Sequence, residues 1–560
     1  MGTNTVVPDS ALIGRVVAVS AARLMVLLDP SSGDKPASHR KSLEMAALVK
    51  IQTRASMVFG MVSGLRVPLP NVGAPDDDLK IVEVELLGET TYGPNGETEG
   101  FRRGVSVFPA LEDEVYLADA GDLAQVYAPP RETSVPVGTI HQDTAVSAFL
   151  LVNDLLGKHF SVVGTTGTGK SCAVATILRS VIEQNPHAHV VLLDPHSEYA
   201  HAFPDEAIVL SPEDGLHLPY WLFNFDEFAE VVFTGAHRPE QWKILGEAVL
   251  SAKHAFSEKS AFDRHVSIDT PTPYRASDLI RYLDNAMGSL NRPDSVAAYQ
   301  VVKTRVLALQ SDVRYAFMFG SSLTLRDEMS DILCKLFRIP VDGKPISIID
   351  LSGIPSEVLN VVVSVICRLT FDFAMWSGTQ TPITIVCEEA HRYAPRDEHA
   401  GFEPVKRALS RIAKEGRKYG VSLCLVSQRP SDLTPSLLSQ CNTMFAMRMT
   451  NQDDQDIIRG ALPEASHGLM QFLPALRNGE AIVVGEGVSM PMRIRFSPLP
   501  DDRRPRSATA SFTTAWSRDT NGRFEVEQTV ERWRRGLLRS SAASNETPGS
   551  VRAHGGGQHS

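Results

Sequence analysis

The chain has 560 residues, 43% of them hydrophobic and 22% charged, and a formal net charge of −11. That length is too great for one hydrophobic core and suggests about three domains. The acidic balance does not advertise a basic coat for nucleic acid, and it does not exclude nucleic acid either, since basic residues can line an internal channel while the exterior stays acidic. The six cysteines (172, 334, 367, 387, 424 and 441) form no Cys-x-x-Cys pair, which argues against a disulfide framework or zinc site and for a reducing, cytoplasmic setting.

Residues 11–140 read as β-rich. Short apolar runs at Ile13–Val19, Leu24–Leu28, Met57–Val62 and Ile81–Leu87 are separated by turn-like stretches, SSGDKP and YGPNGETEG. Ile81, Glu83 and Glu85 alternate with Val82, Val84 and Leu86, which predicts a strand with one wet face. Strands of this length and spacing fit a small barrel or sandwich. The first residues lack the charged and apolar segments of a signal peptide.

From about residue 150 the pattern becomes α/β, with buried-type apolar runs alternating with helical periodicity. The expected strands are Phe160–Val163, Val190–Leu193, Ile346–Leu351, Ile383–Cys387, Val421–Val426, Met444–Met447 and Ala481–Val484, as in a parallel-type sheet covered by helices. Between 226 and 340 the strand signal disappears, and Trp242, Leu245, Val249, Ala252 and Phe256 recur at helical spacing. The segment 356–376 is rich in Val and Ile, yet its apolar positions 359, 362, 363, 366, 370 and 373 predict a helix. Asn360, Ser364, Arg368 and Asp372 break it up too much for a membrane span, and no membrane segment is expected. After about 500 the chain turns polar and arginine-rich; Phe524–Leu538 is amphipathic enough for a packing helix, here read as contacting a neighbouring subunit.

The motif GTTGTGKS, Gly164–Ser171, stands between an apolar strand and a helical stretch. Gly164, Thr165, Thr166, Gly167, Thr168 and Gly169 form a loop whose N–H groups can face phosphate oxygens, and the helix N-terminus that follows, with Cys172, favours negative charge. Lys170 is placed to neutralise the β- and γ-phosphates of ATP, and the Ser171 hydroxyl to ligate Mg²⁺. A second part, TPITIVCEEAH (Thr381–His391), is an apolar strand ending in two acids. Glu388 is expected to support Mg²⁺, if need be through water, and Glu389 to act as the catalytic base. VVLLDPHSEY ends another strand in acids, where Asp194 or Glu198 could position water or Mg²⁺; Asp350, in SIIDLSG, reads as structural. Arg407, Arg411, Lys414 and Lys418 make a basic helical stripe, which is either a solvated face or a phosphate contact. Gln428, at the tip of the strand Val421–Val426, is placed to sense a γ-phosphate.

With these residues in hand the chain resembles the HerA/FtsK group of P-loop motors, and HerA in particular, over about residues 10–500. EEAHRYAP followed by GRKYGVSLCLVSQRPS is more specific than the P-loop alone. The resemblance implies a RecA-like ATPase core over 146–500 behind an N-terminal barrel over residues 1–145; the residues themselves add a helical insertion at 226–340, a C-terminal extension over 501–540 and a disordered tail over 541–560. The resemblance also implies a homohexameric ring around double-stranded DNA, with Arg417 as the finger completing a neighbour's ATP site and Arg411 as second choice. HerA relatives work with a separate nuclease or NAD-consuming effector, in DNA end processing or antiphage defence. The competing expectation is a ring that binds ATP chiefly to assemble and regulate such an effector.

Overall fold

The computed structural model describes residues 11–20, 23–29, 43–67, 79–92, 99–129, 133–233, 239–259, 265–289, 293–320, 327–397, 399–462, 467–506, 512–517 and 522–535. The stretch SSGDKP, most of YGPNGETEG and the expected tail from 541 onward lie outside them. Seven strands form the N-terminal unit: β1 (Leu12–Val19), β2 (Arg23–Leu28), β3 (Leu48–Gln52), β4 (Ser56–Arg66), β5 (Ile81–Thr91), β6 (Arg102–Arg103) and β7 (Glu114–Leu117). They run in the order β2-β1-β7-β3-β4-β5, with β6 appended to β5, and β2 pairs back onto β5 to close a six-stranded barrel. Closure leaves no free edge among these strands. The interior is filled by branched side chains, among them Val16, Val26, Val49, Ile51, Val62, Val84 and Val115.

The expected wet face of β5 fails at one position. Glu85 is only 1% exposed, because that part of the barrel wall is pressed against the second unit: a Cβ placed on Gly468 would lie 2.9 Å from both Glu85 carboxylate oxygens. Arg103 ties the units together again, donating to the Gly485 carbonyl at 3.0 Å.

The second unit is built on eleven strands: β8 (Ser134–Ile140), β9 (Ser147–Leu151), β10 (His159–Val163), β11 (Val190–Asp194), β12 (Ala207–Leu210), β13 (Ile346–Asp350), β14 (Ile383–Cys387), β15 (Val421–Ser427), β16 (Cys441–Ala446), β17 (Glu480–Gly485) and β18 (Met492–Phe496). Their order is β12-β13-β11-β14-β15-β10-β16-β17-β18-β8-β9. The first seven are parallel, and β10, β11, β14 and β15 are buried at nearly every position, as sheets covered on both faces require. The last four are antiparallel, so the sheet is mixed where a parallel one was expected. Strand β8 enters this sheet from Ser134, ahead of residue 146.

Among the described residues between β12 and β13 there are only helices, including Phe225–Phe233, Pro239–Lys259, Ala276–Ser289 and Pro293–Ser311. They are anchored through Glu227, whose side chain is fully buried and is held by Arg368 at 2.9 Å and the Ser364 hydroxyl at 2.8 Å. Both partners lie on the helix Ser356–Ser377, the one described helix long and apolar enough to cross a membrane by composition. Its apolar residues are mostly buried in the core, packed beside the helix Glu403–Tyr419. Beyond β18, Phe512, Trp516, Phe524, Val526 and Trp533 are all exposed on two short helices, Phe512–Trp516 and Arg523–Arg535.

Candidate nucleotide site

Four neighbouring parallel strands, in the order β11-β14-β15-β10, end on one edge of the sheet. Asp194 closes β11, Glu388 and Glu389 follow β14, Ser427 and Gln428 lie at the tip of β15, and the loop Gly164–Gly169 follows β10. Residues as far apart in sequence as Gly164 and Gln428 are thus gathered where open α/β sheets bind their ligands.

The loop is shaped by its own backbone. Gly164 N–H donates to the Ser427 carbonyl at 3.3 Å, and Thr165 N–H to the Arg448 carbonyl at 3.0 Å. The Thr165 hydroxyl also reaches the Arg448 carbonyl, and the Thr168 hydroxyl the Thr165 carbonyl at 2.8 Å. Gly169 caps the helix Lys170–Gln184 with φ +97°, a left-handed conformation that a side chain would strain. Lys170 is nearly buried and donates to the Thr165 carbonyl at 3.1 Å. Burial holds its ammonium below the usual lysine range, although Glu388, Glu389 and Glu198 pull the other way. Cys172 is half-buried in the first turn, and burial raises its thiol.

The acids differ in what they touch. Glu388 is buried, and the Tyr199 hydroxyl donates to it. Burial pushes its carboxyl up to about 8; Asp194 and Glu389 add to the shift, while Tyr199 and Lys170 oppose it. Glu389 sits in the left-handed region at φ +50°, unusual for a long side chain and typical of strained functional positions. The Gln428 amide donates to Oε1 of Glu389, and His391 Nδ1 lies 3.3 Å from Oε2. Gln428 in turn accepts from the Thr166 hydroxyl.

Asp194 behaves differently from its expected role. It is 1% exposed and accepts from the backbone N–H groups of Tyr199 at 2.9 Å and His196 at 3.2 Å, so it pins the turn after β11. Burial raises its carboxyl to about 6. That turn delivers Glu198 to Ser171, whose hydroxyl donates to Oε2 at 2.8 Å. Tyr199 and His391 were not picked out by sequence, although both stand inside the quoted motifs. Asp350 accepts from the Ser197 hydroxyl at 2.8 Å and stays in the structural role expected for it.

The structure does not bring Arg417 to this site. The helix Glu403–Tyr419 runs back toward the start of β15, and Arg417 is exposed at its end. Its charge is felt at Glu486, the partner of Lys158 just ahead of β10, on the opposite edge of the sheet. Arg411 lies over the Phe371 ring at 4.2 Å and pairs with Asp372 at 3.4 Å, and Arg407 pairs with Asp226. Lys418 lies over the Tyr419 ring at 5.2 Å, so three of the four stripe residues are engaged within the chain.

Residues 135–370 match the family model of the central domain of helicase HerA. The central domain is that of the HerA family. The DNA double-strand break repair helicase HerA of Pyrococcus furiosus is 26% identical over 463 residues, covering 74% of this chain and 79% of that protein. The probable DNA double-strand break repair helicase HerA of Methanocaldococcus jannaschii is 26% identical over 422 residues, covering 68% and 80%. Among solved structures, VirB4 of Thermoanaerobacter pseudethanolicus is similar at a TM-score of 0.48 and 14% identity, over 67% of this chain and 99% of that one. The plasmid coupling protein TrwB in complex with ADP and Mg²⁺ is similar at a TM-score of 0.45 and 13% identity, over 70% and 94%. The chain is an ATPase, with the glycine-rich loop Gly164–Gly169 and a buried pair of acids at one edge of its sheet.

Proposed function

We propose that the chain is an ATP-driven translocase on double-stranded DNA, working as a homohexameric ring beside a separate nuclease or NAD-consuming effector. The observation that carries this reading is the meeting of Lys170, Ser171, Glu388, Glu389 and Gln428 at the ends of neighbouring strands. The similarity to HerA helicases over about three quarters of the chain supports DNA as the track.

In this reading the loop N–H groups and Lys170 bind the phosphates. Ser171, with Glu198 and Glu388 behind it, offers the oxygen donors that Mg²⁺ prefers. The ion, when bound, neutralises charge on the phosphate oxygens. Glu389 takes the proton of the attacking water, and Gln428 registers the γ-phosphate. Asp194 acts at one remove, by fixing the turn that carries Glu198. The exposed Arg417 stands away from its own loop and serves a neighbouring subunit's site, which makes turnover depend on assembly.

The test is ATP hydrolysis with and without linear double-stranded DNA, beside Lys170→Ala and Glu389→Gln. Stimulation by DNA that disappears in both variants is expected. Lys170-dependent turnover indifferent to DNA would overturn the motor and favour a ring that regulates its effector.

A further inference from the structure

The phosphate loop contains three threonines, and they are not equivalent. The hydroxyls of Thr165 and Thr168 are committed to carbonyls of Arg448 and Thr165, so they hold the loop in shape. The Thr166 hydroxyl reaches out of the loop. It donates to the Gln428 side-chain oxygen, and the nitrogen of the same amide donates to Glu389.

The far end of this chain has few other freedoms. Glu389 is 5% exposed, its backbone is left-handed, and its second oxygen faces His391. His391 is itself 3.1 Å from the Ser427 hydroxyl, at the tip of the strand that carries Gln428. The carboxylate is therefore held on one oxygen by Gln428, at the tip of β15, and faced on the other by His391, which leans on that same tip through Ser427. Of the two groups that meet the carboxylate, Gln428 is the one whose side chain is also bonded to a side chain of the phosphate loop, through Thr166.

We propose that Thr166 is a positioning residue for hydrolysis: its hydroxyl sets the Gln428 amide, and the amide aims Glu389. The loop that holds the phosphates would thereby also orient the base across the site. A γ-phosphate arriving in the loop meets an amide already pointing from Thr166 toward Glu389. Information about the phosphate then has a path of two hydrogen bonds to the carboxylate. This inference rests on the reading of Glu389 as the base.

The experiment compares Thr166→Val, which keeps shape and removes the hydroxyl, with Thr166→Ser, which keeps the hydroxyl. Both are assayed in the full chain for kcat and KM with Mg²⁺ and ATP, beside Glu389→Gln. Misaiming a catalytic group by about 1 Å costs up to roughly a hundredfold. Thr166→Val should therefore lose about ten- to a hundredfold in kcat, with KM nearly unchanged and the serine variant close to wild type. Combining Thr166→Val with Gln428→Ala should cost little more than either alone, because both cut one path. Normal kcat in Thr166→Val, or a rise confined to KM, would overturn the proposal and leave Thr166 an ordinary phosphate contact. Full turnover by Glu389→Gln would instead overturn the underlying assignment of the base, and the inference with it.

Discussion

Replacing Lys170 by Met separates what this lysine does for the fold from what it does for the ligand. Methionine retains the apolar stem, which covers the loop, and removes only the ammonium. In the free chain that ammonium has one hydrogen bond, to the Thr165 carbonyl, and burial outweighs three nearby carboxylates in setting its affinity for a proton. A charge disfavoured by its surroundings contributes nothing to stability, so unfolding without nucleotide should shift by no more than about 1 kcal/mol, in either direction. With nucleotide the comparison reverses. At a ligand concentration about a hundred times Kd, wild type gains roughly 2.7 kcal/mol by linkage, and Lys170→Met should lose nearly all of it. The assay is urea unfolding followed by tryptophan fluorescence, with and without Mg²⁺ and ATP. A variant that keeps its nucleotide-dependent shift would refute the placement of the phosphates. A variant strongly destabilised without nucleotide would refute the argument from burial.

Glu388→Gln should change the pH dependence of stability in the nucleotide-free chain. A carboxyl raised to about 8 keeps a proton when folded that it gives up, when unfolded, above its ordinary 4.5, so its contribution falls as pH rises between those values and levels off above them. The slope for one group is at most about 1.4 kcal/mol per pH unit, and urea midpoints from pH 5.5 to 8 should lose that component in the variant. Arg368→Met strands the fully buried Glu227 carboxylate and should cost about 3–5 kcal/mol, with Glu227→Gln/Arg368→Met recovering part of it in the same melts. Mixing the separately inactive Arg417→Ala and Glu389→Gln chains should restore some turnover, since each supplies what the other's site lacks; no recovery in an assembled mixture would count against a finger supplied in trans.

The phosphate loop, the glutamate pair and most of the parallel strands were legible because each has a local signature. A buried parallel strand is a continuous apolar run, and a helix such as Ser356–Ser377 shows its period despite its β-branched residues. Pairing partners have no such signature. SVPVGTI reads as a strand, yet nothing in its alternation tells that β8 joins β18 in the core sheet and not the barrel. Strand β12 has only four residues, and β18, MRIRF, alternates apolar residues with arginines, so neither shows the continuous apolar run of the buried parallel strands. Glu85 was misread for a related reason: alternation marks two faces, and cannot show that a second unit covers the polar one. The acids of VVLLDPHSEY stand out in the sequence as a group. Only the turn geometry separates them, turning Asp194 toward the backbone and Glu198 toward Ser171.

Strand β18 lies between β17 and β8, although about 350 residues separate it from β8 along the chain. During synthesis the β8–β9 hairpin therefore emerges early and waits, one edge unsatisfied, until Met492–Phe496 leaves the ribosome. The large sheet is closed by a late wedge driven between its oldest and newest parts. A stop codon upstream of Met492 should accordingly yield a product with two sticky edges, destined for chaperones or aggregates. Truncation just after Arg506 keeps the wedge, and with it the Arg503 pair to Glu206, and should leave a finished sheet.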